Sequence, residues 1–183
     1  RQSAITVRVV DADGKPAKDA EVKVEQLRHD FLFGCNVFLL NRLPSPELEQ
    51  QYRDQYAALF NYATLPFYWA GFEGEQGKPQ YERIDAMVEW CKACDIACKG
   101  HPLVWNHQAG VPGWLPSDLS AIRALSDARV AEIVSRYRGR IDRWDVVNEA
   151  ADPFRAGFEN LMTDMWKQAG VMPLTVSPVP EGG

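Results

Sequence analysis

Four short apolar runs, Phe31–Val37, Ala63–Trp69, Ile96–Trp105 and Ile141–Asn148, alternate along this chain with stretches of helical periodicity. Each run has the length and bounded, apolar character of a buried strand. Between the first two, Ser45-Pro46-Glu47 supplies an N-cap, a first-turn proline and a first-turn acid, and Leu48, Tyr52, Tyr56, Leu59 and Phe60 form an apolar helical face. From about Tyr81 to Asp95, the residues Ile84, Met87, Val88, Cys91 and Cys94 do the same. Before the fourth run, Ser126 reads as the cap of a helix lined by Val130, Ile133, Val134 and Tyr137. A βαβαβαβ order calls for a parallel sheet with right-handed crossovers.

The ends differ from this middle. Ile5–Val10 and Glu21–Gln26 are β-patterned and joined by the turn-rich Asp11-Ala12-Asp13-Gly14-Lys15-Pro16, so residues 1–28 read as a β-hairpin annex to a domain over 29–183. Phe158, Leu161, Met162, Met165, Trp166 and Ala169 make one last helical face, ended by Gly170, and the tail is rich in Pro and Gly. Only four barrel-type strands are accounted for, whereas a closed (β/α)8 barrel takes ~250 residues. The sequence is either an incomplete barrel or another four-stranded α/β arrangement.

Composition narrows the function classes. A 183-residue chain with 46% hydrophobic content can bury a sizeable core. The net charge of −5 and the lack of a Lys/Arg cluster argue against nucleic acid or an anionic membrane as partner and favour a neutral ligand. Nothing reads as membrane-spanning, and Arg1 is preceded by no Met or apolar leader, so any signal peptide is already removed or was never included. Cys91-x-x-Cys94-x-x-x-Cys98 superficially resembles a ligand spacing. Cys91 and Cys94 fall on the apolar helix face and Cys98 in the next strand, so they are expected to be free packing thiols. No metal or cofactor is expected.

The fourth run delivers Asn148-Glu149 at its C-terminal end, the end at which α/β barrels carry out chemistry. The third runs through Gly100-His101-Pro102-Leu103-Val104-Trp105-Asn106-His107-Gln108 into Pro112-Gly113-Trp114-Leu115. His101 and Trp105 alone could be ordinary core residues, but they flank a strand whose following loop carries His107 and Trp114, rings on which sugar faces stack.

Gly100-His101-x-Leu103-Val104-Trp105, with Pro112-x-Trp114-Leu115, resembles the third-strand motif of family-ten glycoside hydrolases, the endo-β-1,4-xylanases and their relatives. Trp144-Asp145-Val146-Val147-Asn148-Glu149 resembles their acid/base motif, and Trp69-x-x-x-Glu73-x-x-x-Gly77 is a weaker match. The resemblance covers roughly Phe31 to Gly170. It implies a partial TIM barrel holding the first four strands, and retaining hydrolysis of β-1,4-linked plant polysaccharide or oligosaccharide with Glu149 as acid/base. Asn148 would bond the sugar 2-hydroxyl; His101, Trp105, Trp114, Tyr68 and His107 would line the substrate. A carboxyl at the mouth of an apolar strand is expected to be partly desolvated, which suits a general acid. The same resemblance implies a secreted or periplasmic setting.

The departures are specific. Tyr68 stands where the family has a lysine, Leu65 where it has an asparagine, Gly74 follows Glu73 in place of proline, and Asn106 occupies a histidine position, with His107 displaced by one. The family's nucleophile lies on a later strand with no counterpart here, since Glu159 opens a helix and Glu181 sits in the tail. The chain alone is therefore expected to be weakly active or inactive. Two alternatives stand beside this reading: a non-catalytic carbohydrate-binding pseudoenzyme, and another retaining barrel glycosidase acting on mannan or galactan. If four strands are the whole contribution, the first and fourth are exposed edges that favour pairing with a second copy.

Overall fold

The computed structural model describes residues 4–27 and 29–149; the chain divides into two units, Arg1–Phe31 and Leu32–Gly183. The tail helix expected from Phe158 onward, with Glu159 and Glu181, lies outside the described residues. The second unit contains strands β1 (Gly34–Asn36), β2 (Tyr62–Pro66), β3 (Ala97–His101), β4 (Val104–Trp105), β5 (Arg143–Trp144) and β6 (Val147–Asn148). Its helices are α1 (Pro46–Leu59), α2 (Trp69–Phe72), α3 (Tyr81–Ala93) and α4 (Leu119–Arg136).

Strands β1, β2, β3 and β5 form one parallel sheet in that order, while β4 pairs with β6 in a short parallel ladder of its own. The register is continuous: Thr64 stands opposite Asn36 on one side and Lys99 on the other. Helices α1, α3 and α4 make the crossovers, as the alternating sequence requires. Among the described residues the sheet is open.

Burial follows the strand period of two. On β2, Ala63 and Leu65 are buried and Thr64 is not; on β3, Cys98 and Gly100 are buried, while Lys99 and His101 stand on the other face. The buried set packs with Ile84, Met87, Val88 and Cys91 of α3 and with Ile133 of α4. Phe67, Tyr137 and Trp144 interlock at its centre, with ring centroids 5.1 to 6.3 Å apart. Cys91 and Cys98 are core thiols, and hydrogen bonding between them together with burial pushes the Cys91 thiol up. No described helix is long and apolar enough to cross a membrane.

Helix α1 starts as its sequence dictates, with Ser45 accepting from the Leu48 amide at 3.3 Å and Pro46 in the first turn. Its predicted apolar face is only partly used. Tyr56 is buried, its hydroxyl donating to Cys35 O at 2.7 Å, whereas Leu48 and Leu59 remain exposed.

Four expectations are corrected. Helix α4 begins earlier than Ser126: Asp118 is the cap, accepting from the Ala121 amide at 2.8 Å, and Ser126 is buried within the helix. The segment from Leu119 to Leu125 carries its own helical periodicity, with Ile122 in the core, so the helix propagates back to the first acceptor side chain. The third run is split in two, because Pro102 has no N–H to give to a ladder. The fourth run breaks in step, and Leu103 N and Val104 N bond to Asp145 O and Val146 O across the gap. The second run ends at Pro66, with Trp69 entering α2 instead.

In the first unit the two β-patterned segments form no ladder. An isolated antiparallel bridge joins Val10 and Pro16, and Asp11 Oδ1 accepts from the Asp13 and Lys15 amides in the expected turn. Ile5, Val24 and Leu27 are exposed, and a two-stranded hairpin without a packed face is at best marginally stable.

Gly100 gives the Trp144 ring of β5 its place against β3, because a Cβ there would drive into that ring. Gly100→Ala is predicted to destabilise the fold by about 1–3 kcal/mol, the range for overpacking a core. Urea denaturation monitored by tryptophan fluorescence would measure it.

Candidate active site

The C-terminal ends of β2, β3, β4 and β6 bring most of the sequence-predicted site residues into one contact network. His101, last in β3, has Nδ1 2.7 Å from Asp145 Oδ2 and Nε2 3.2 Å from the Tyr68 hydroxyl. A carboxylate accepts at Nδ1, and in the neutral imidazole with its proton there Nε2 is the acceptor for the Tyr68 hydroxyl. The Tyr68 ring lies 5.4 Å from His101 and 5.7 Å from Trp105. Trp105 in turn donates its indole N–H to Glu149 Oε2 at 2.8 Å. Asn148 stands opposite Trp105 in the β4–β6 ladder.

His107 stacks on Trp105 at 4.0 Å with an interplanar angle of 20°. One indole face is therefore covered by the imidazole. Trp114 joins a different cluster, packing edge-on to Trp69 and donating to Glu73 O at 2.7 Å. Glu73 also accepts from Trp69 Nε1 and from the Gly77 amide, at 2.9 and 2.7 Å. The Trp69-x-x-x-Glu73-x-x-x-Gly77 spacing thus acts as a lock on the loop after α2.

Glu149 departs from expectation in one respect: it is exposed, not partly desolvated. The cause is its strand, since Val146 and Val147 are both more than 40% exposed in β6 and the link before it. Its backbone is also unusual, with φ of 52° in the left-handed region that an L residue other than Asn or Asp seldom adopts. Such strain concentrates at functional positions.

Three residues of this network escaped the sequence reading. Asp145 carries Lys99 Nζ at 2.8 Å as well as His101. Burial pushes its carboxyl up, but the hydrogen bonds from Lys99 and His101 together outweigh burial and hold it below the ordinary value of 3.8. Lys99 was legible in principle, as a charge two residues before His101 on the same strand face. For Tyr68, burial first and the Glu149 charge second raise the hydroxyl pKa, so it remains protonated.

Arg129 is the third. It sits within α4 at 5% exposure, donating Nε to Leu103 O at 3.2 Å and Nη2 to Phe67 O. Its guanidinium stands 5.0 Å from the centroids of both Trp69 and Phe72. Burial lowers its pKa to about 10, against the countering charges of Glu73 and Glu132, so it stays charged at neutral pH. The signal was an arginine at the i−4 position from Ile133 on an otherwise apolar face.

A family model described as Glycosyl hydrolase family 10 matches residues 38–170. The chain is 28% identical over 155 residues to endo-1,4-beta-xylanase 5 of Arabidopsis thaliana, covering 81% of this chain and 26% of that protein. It is 37% identical over 86 residues to endo-1,4-beta-xylanase B of Thermotoga neapolitana, covering 45% of this chain and 24% of the relative. Among solved structures it resembles a psychrophilic family 10 endo-beta-1,4-xylanase (TM-score 0.56, 27% identity, 76% of this chain and 45% of that one). It also resembles a Cellvibrio japonicus xylanase in complex with xylopentaose (TM-score 0.58, 25% identity, 79% and 30%). These relatives are TIM barrels, so the open sheet is part of a barrel; the chain spans about a quarter of the length of the two named sequence relatives.

Arg129→Met is predicted to leave the Phe67 and Leu103 carbonyls without their donor, costing about 1–3 kcal/mol per buried unsatisfied group. Guanidinium melts of the variant and parent would show it as a lower midpoint with an unchanged slope. Asp145 yields a pH prediction. A folded-state pKa below the unfolded one contributes stability that is fully present above the ordinary value of 3.8 and is lost as pH falls through the folded value. Asp145→Asn should therefore flatten the acid limb of a stability–pH curve, and superimposable curves would exclude this contribution.

Proposed function

Because the chain belongs to glycosyl hydrolase family 10, we propose that the strand ends around Trp105 and Glu149 form the acid/base half of a xylanase-type glycosidase site. The substrate is a β-1,4-linked plant polysaccharide or an oligosaccharide from it, in a secreted or periplasmic setting. The observation that carries the reading is the Trp105 Nε1–Glu149 Oε2 hydrogen bond of 2.8 Å, which ties a carboxyl group to an aromatic platform. A carboxyl beside a stacked sugar ring is what protonation of a glycosidic oxygen needs.

Glu149 is the proposed acid/base, protonating the leaving oxygen and then activating water. Asn148 is proposed to bond the sugar 2-hydroxyl, a contact that strengthens in an oxocarbenium-like transition state. His101, oriented by Asp145, and Tyr68 are proposed to face the glycone, with Trp105 as the platform and His107 as its backing. Trp114 is proposed to contribute more remotely, beyond the Glu73 loop. Retention needs a second carboxylate about 5–5.5 Å from the first, and we assign that nucleophile to no residue of this sequence.

The comparison of Glu149→Gln with the parent on an aryl β-xyloside tests the assignment. The variant should lose the phenol release of the parent by about two to four orders of magnitude, the scale of general acid–base catalysis. Equal nonzero rates would remove Glu149 from the mechanism. An inactive parent that still binds xylo-oligosaccharide would favour the carbohydrate-binding reading.

A further inference from the structure

Asp145 meets two partners through one oxygen. Lys99 Nζ stands 2.8 Å and His101 Nδ1 2.7 Å from the same Oδ2. The carboxylate is anchored beneath them, because Asp145 N donates to Gly100 O and Leu103 N donates to Asp145 O, both at 3.0 Å. Its backbone is thus tied to the strand that carries the lysine and the histidine. Lys99 and His101 stand on the same face of β3, and their side chains keep only 27% and 18% exposure, so dissolved salt screens the contact little. Among the described residues, these two are the groups paired with the Asp145 carboxyl.

A carboxylate within ~4–6 Å of an imidazole favours the doubly protonated ring, and a cation at that range disfavours it. With Lys99 on Oδ2, the ring faces an ion pair of no net charge; without it, the ring would face a lone anion. The other charges nearby act mainly on the tyrosines. Arg143 stands opposite Lys99 in the β3–β5 register with its guanidinium 5.9 Å from the Tyr62 ring, and the Tyr62 hydroxyl on β2 feels Lys99, Arg143 and Asp145. The Glu149 charge is felt at Tyr68. The protonation state of His101 decides more than its own charge, because its Nε2 lies 3.2 Å from the Tyr68 hydroxyl. A neutral ring protonated at Nδ1 accepts the Tyr68 O–H and leaves the tyrosine oxygen as an acceptor for a ligand. A doubly protonated ring donates from Nε2 and turns the Tyr68 O–H outward as a donor.

We propose that Lys99 is a positioning residue, which by sharing Oδ2 of Asp145 keeps His101 neutral at neutral pH and so makes the Tyr68 oxygen present an acceptor, rather than a donor, to a sugar hydroxyl. The consequence for sugar binding rests on the proposed glycan function. The protonation state of His101 does not, so the two parts are tested apart.

Imidazole nitrogen-15 spectra of the full chain read which ring nitrogens carry protons, with no ligand present. The chain has three histidines, and the His101 signals are those lost in His101→Gln. In the parent at neutral pH, Nδ1 should be protonated and Nε2 bare. In Lys99→Met the imidazolium-to-imidazole ratio at the same pH should rise about tenfold, the effect of unmasking a carboxylate at this range. Lys99→Arg keeps the cation and should match the parent. Lys99→Gln, with a polar end in the same space, gives the reading if Lys99→Met does not fold. A neutral His101 in the lysine-free variants, a doubly protonated ring in the parent, or a Lys99→Arg that behaves like Lys99→Met would overturn the proposal. Calorimetric titration with xylotetraose reads the consequence: Lys99→Met should bind several-fold more weakly at neutral pH and regain the parental affinity at alkaline pH, where the ring gives up its second proton. Unchanged affinity beside a doubly protonated ring would refute the positioning role. If the parent binds no xylotetraose, the glycan function itself fails, and the nitrogen-15 spectra alone decide whether Lys99 holds His101 neutral.

Discussion

The arrangement of this molecule depends on one buried guanidinium. Arg129 reaches from α4 to the carbonyls of Phe67 and Leu103, the first just beyond β2 and the second between β3 and β4. Those are the points at which the backbone leaves the main sheet to present Tyr68 and Trp105. A loop carbonyl at that depth must be paired, and a charge-assisted donor pairs two at once. Trp69 and Phe72 lie against the guanidinium and exclude water from it, so the helix, both loops and the α2 turn are fixed by a single side chain. Burying that cation is unfavourable in itself, which the pKa lowered to about 10 reflects, and two hydrogen bonds with two rings offset it.

From those pinned loops a polar relay crosses the strand ends. Lys99 and His101 project from the same face of β3 to Asp145, and His101 passes the orientation on to Tyr68. Two members are each held in one protonation state: the carboxylate of Asp145 is held ionised by Lys99 and His101, and Tyr68 is held neutral by burial and by Glu149. Neutral tyrosine remains a hydrogen-bond donor but brings no positive charge, at a position where the family resemblance has a lysine. The positive charge instead lies behind the ring, on Arg42 and Arg83.

What the sequence made legible was the periodic part. The βαβαβαβ order, the Ser45–Pro46 start of α1 and the buried face Ile84, Met87, Val88 and Cys91 of α3 all depend on contacts within a few residues or on simple alternation. The site was legible as a set of residue types at strand ends: Tyr68, His101, Trp105, His107 and Glu149 do converge. Their partners were not, because Asp145 meets Lys99 and His101 across the sheet, and Arg129 meets Phe67 at a separation of 62 residues. Such pairings follow from register, which no local window contains. The exposure of Glu149 was misjudged for the same reason, since an apolar run says nothing of whether both faces of its strand are covered.

In the proposed site, the Trp105 indole would tie recognition to chemistry. His107 covers one of its faces, and Gly110 passes so near that a Cβ would meet the Trp105 carbonyl, so only glycine lets this loop fold back on the strand end. Its N–H holds Glu149 Oε2, and Glu149 is reached through a left-handed backbone that relaxation alone would not choose. The stacked imidazole and the indole hydrogen bond together fix where the carboxyl stands relative to the ring. Preorganisation of this kind lowers the entropy lost when a sugar and a proton donor are brought together. In the proposed site, sugar stacking and carboxyl position would therefore form one degree of freedom, set by the packing around Trp105.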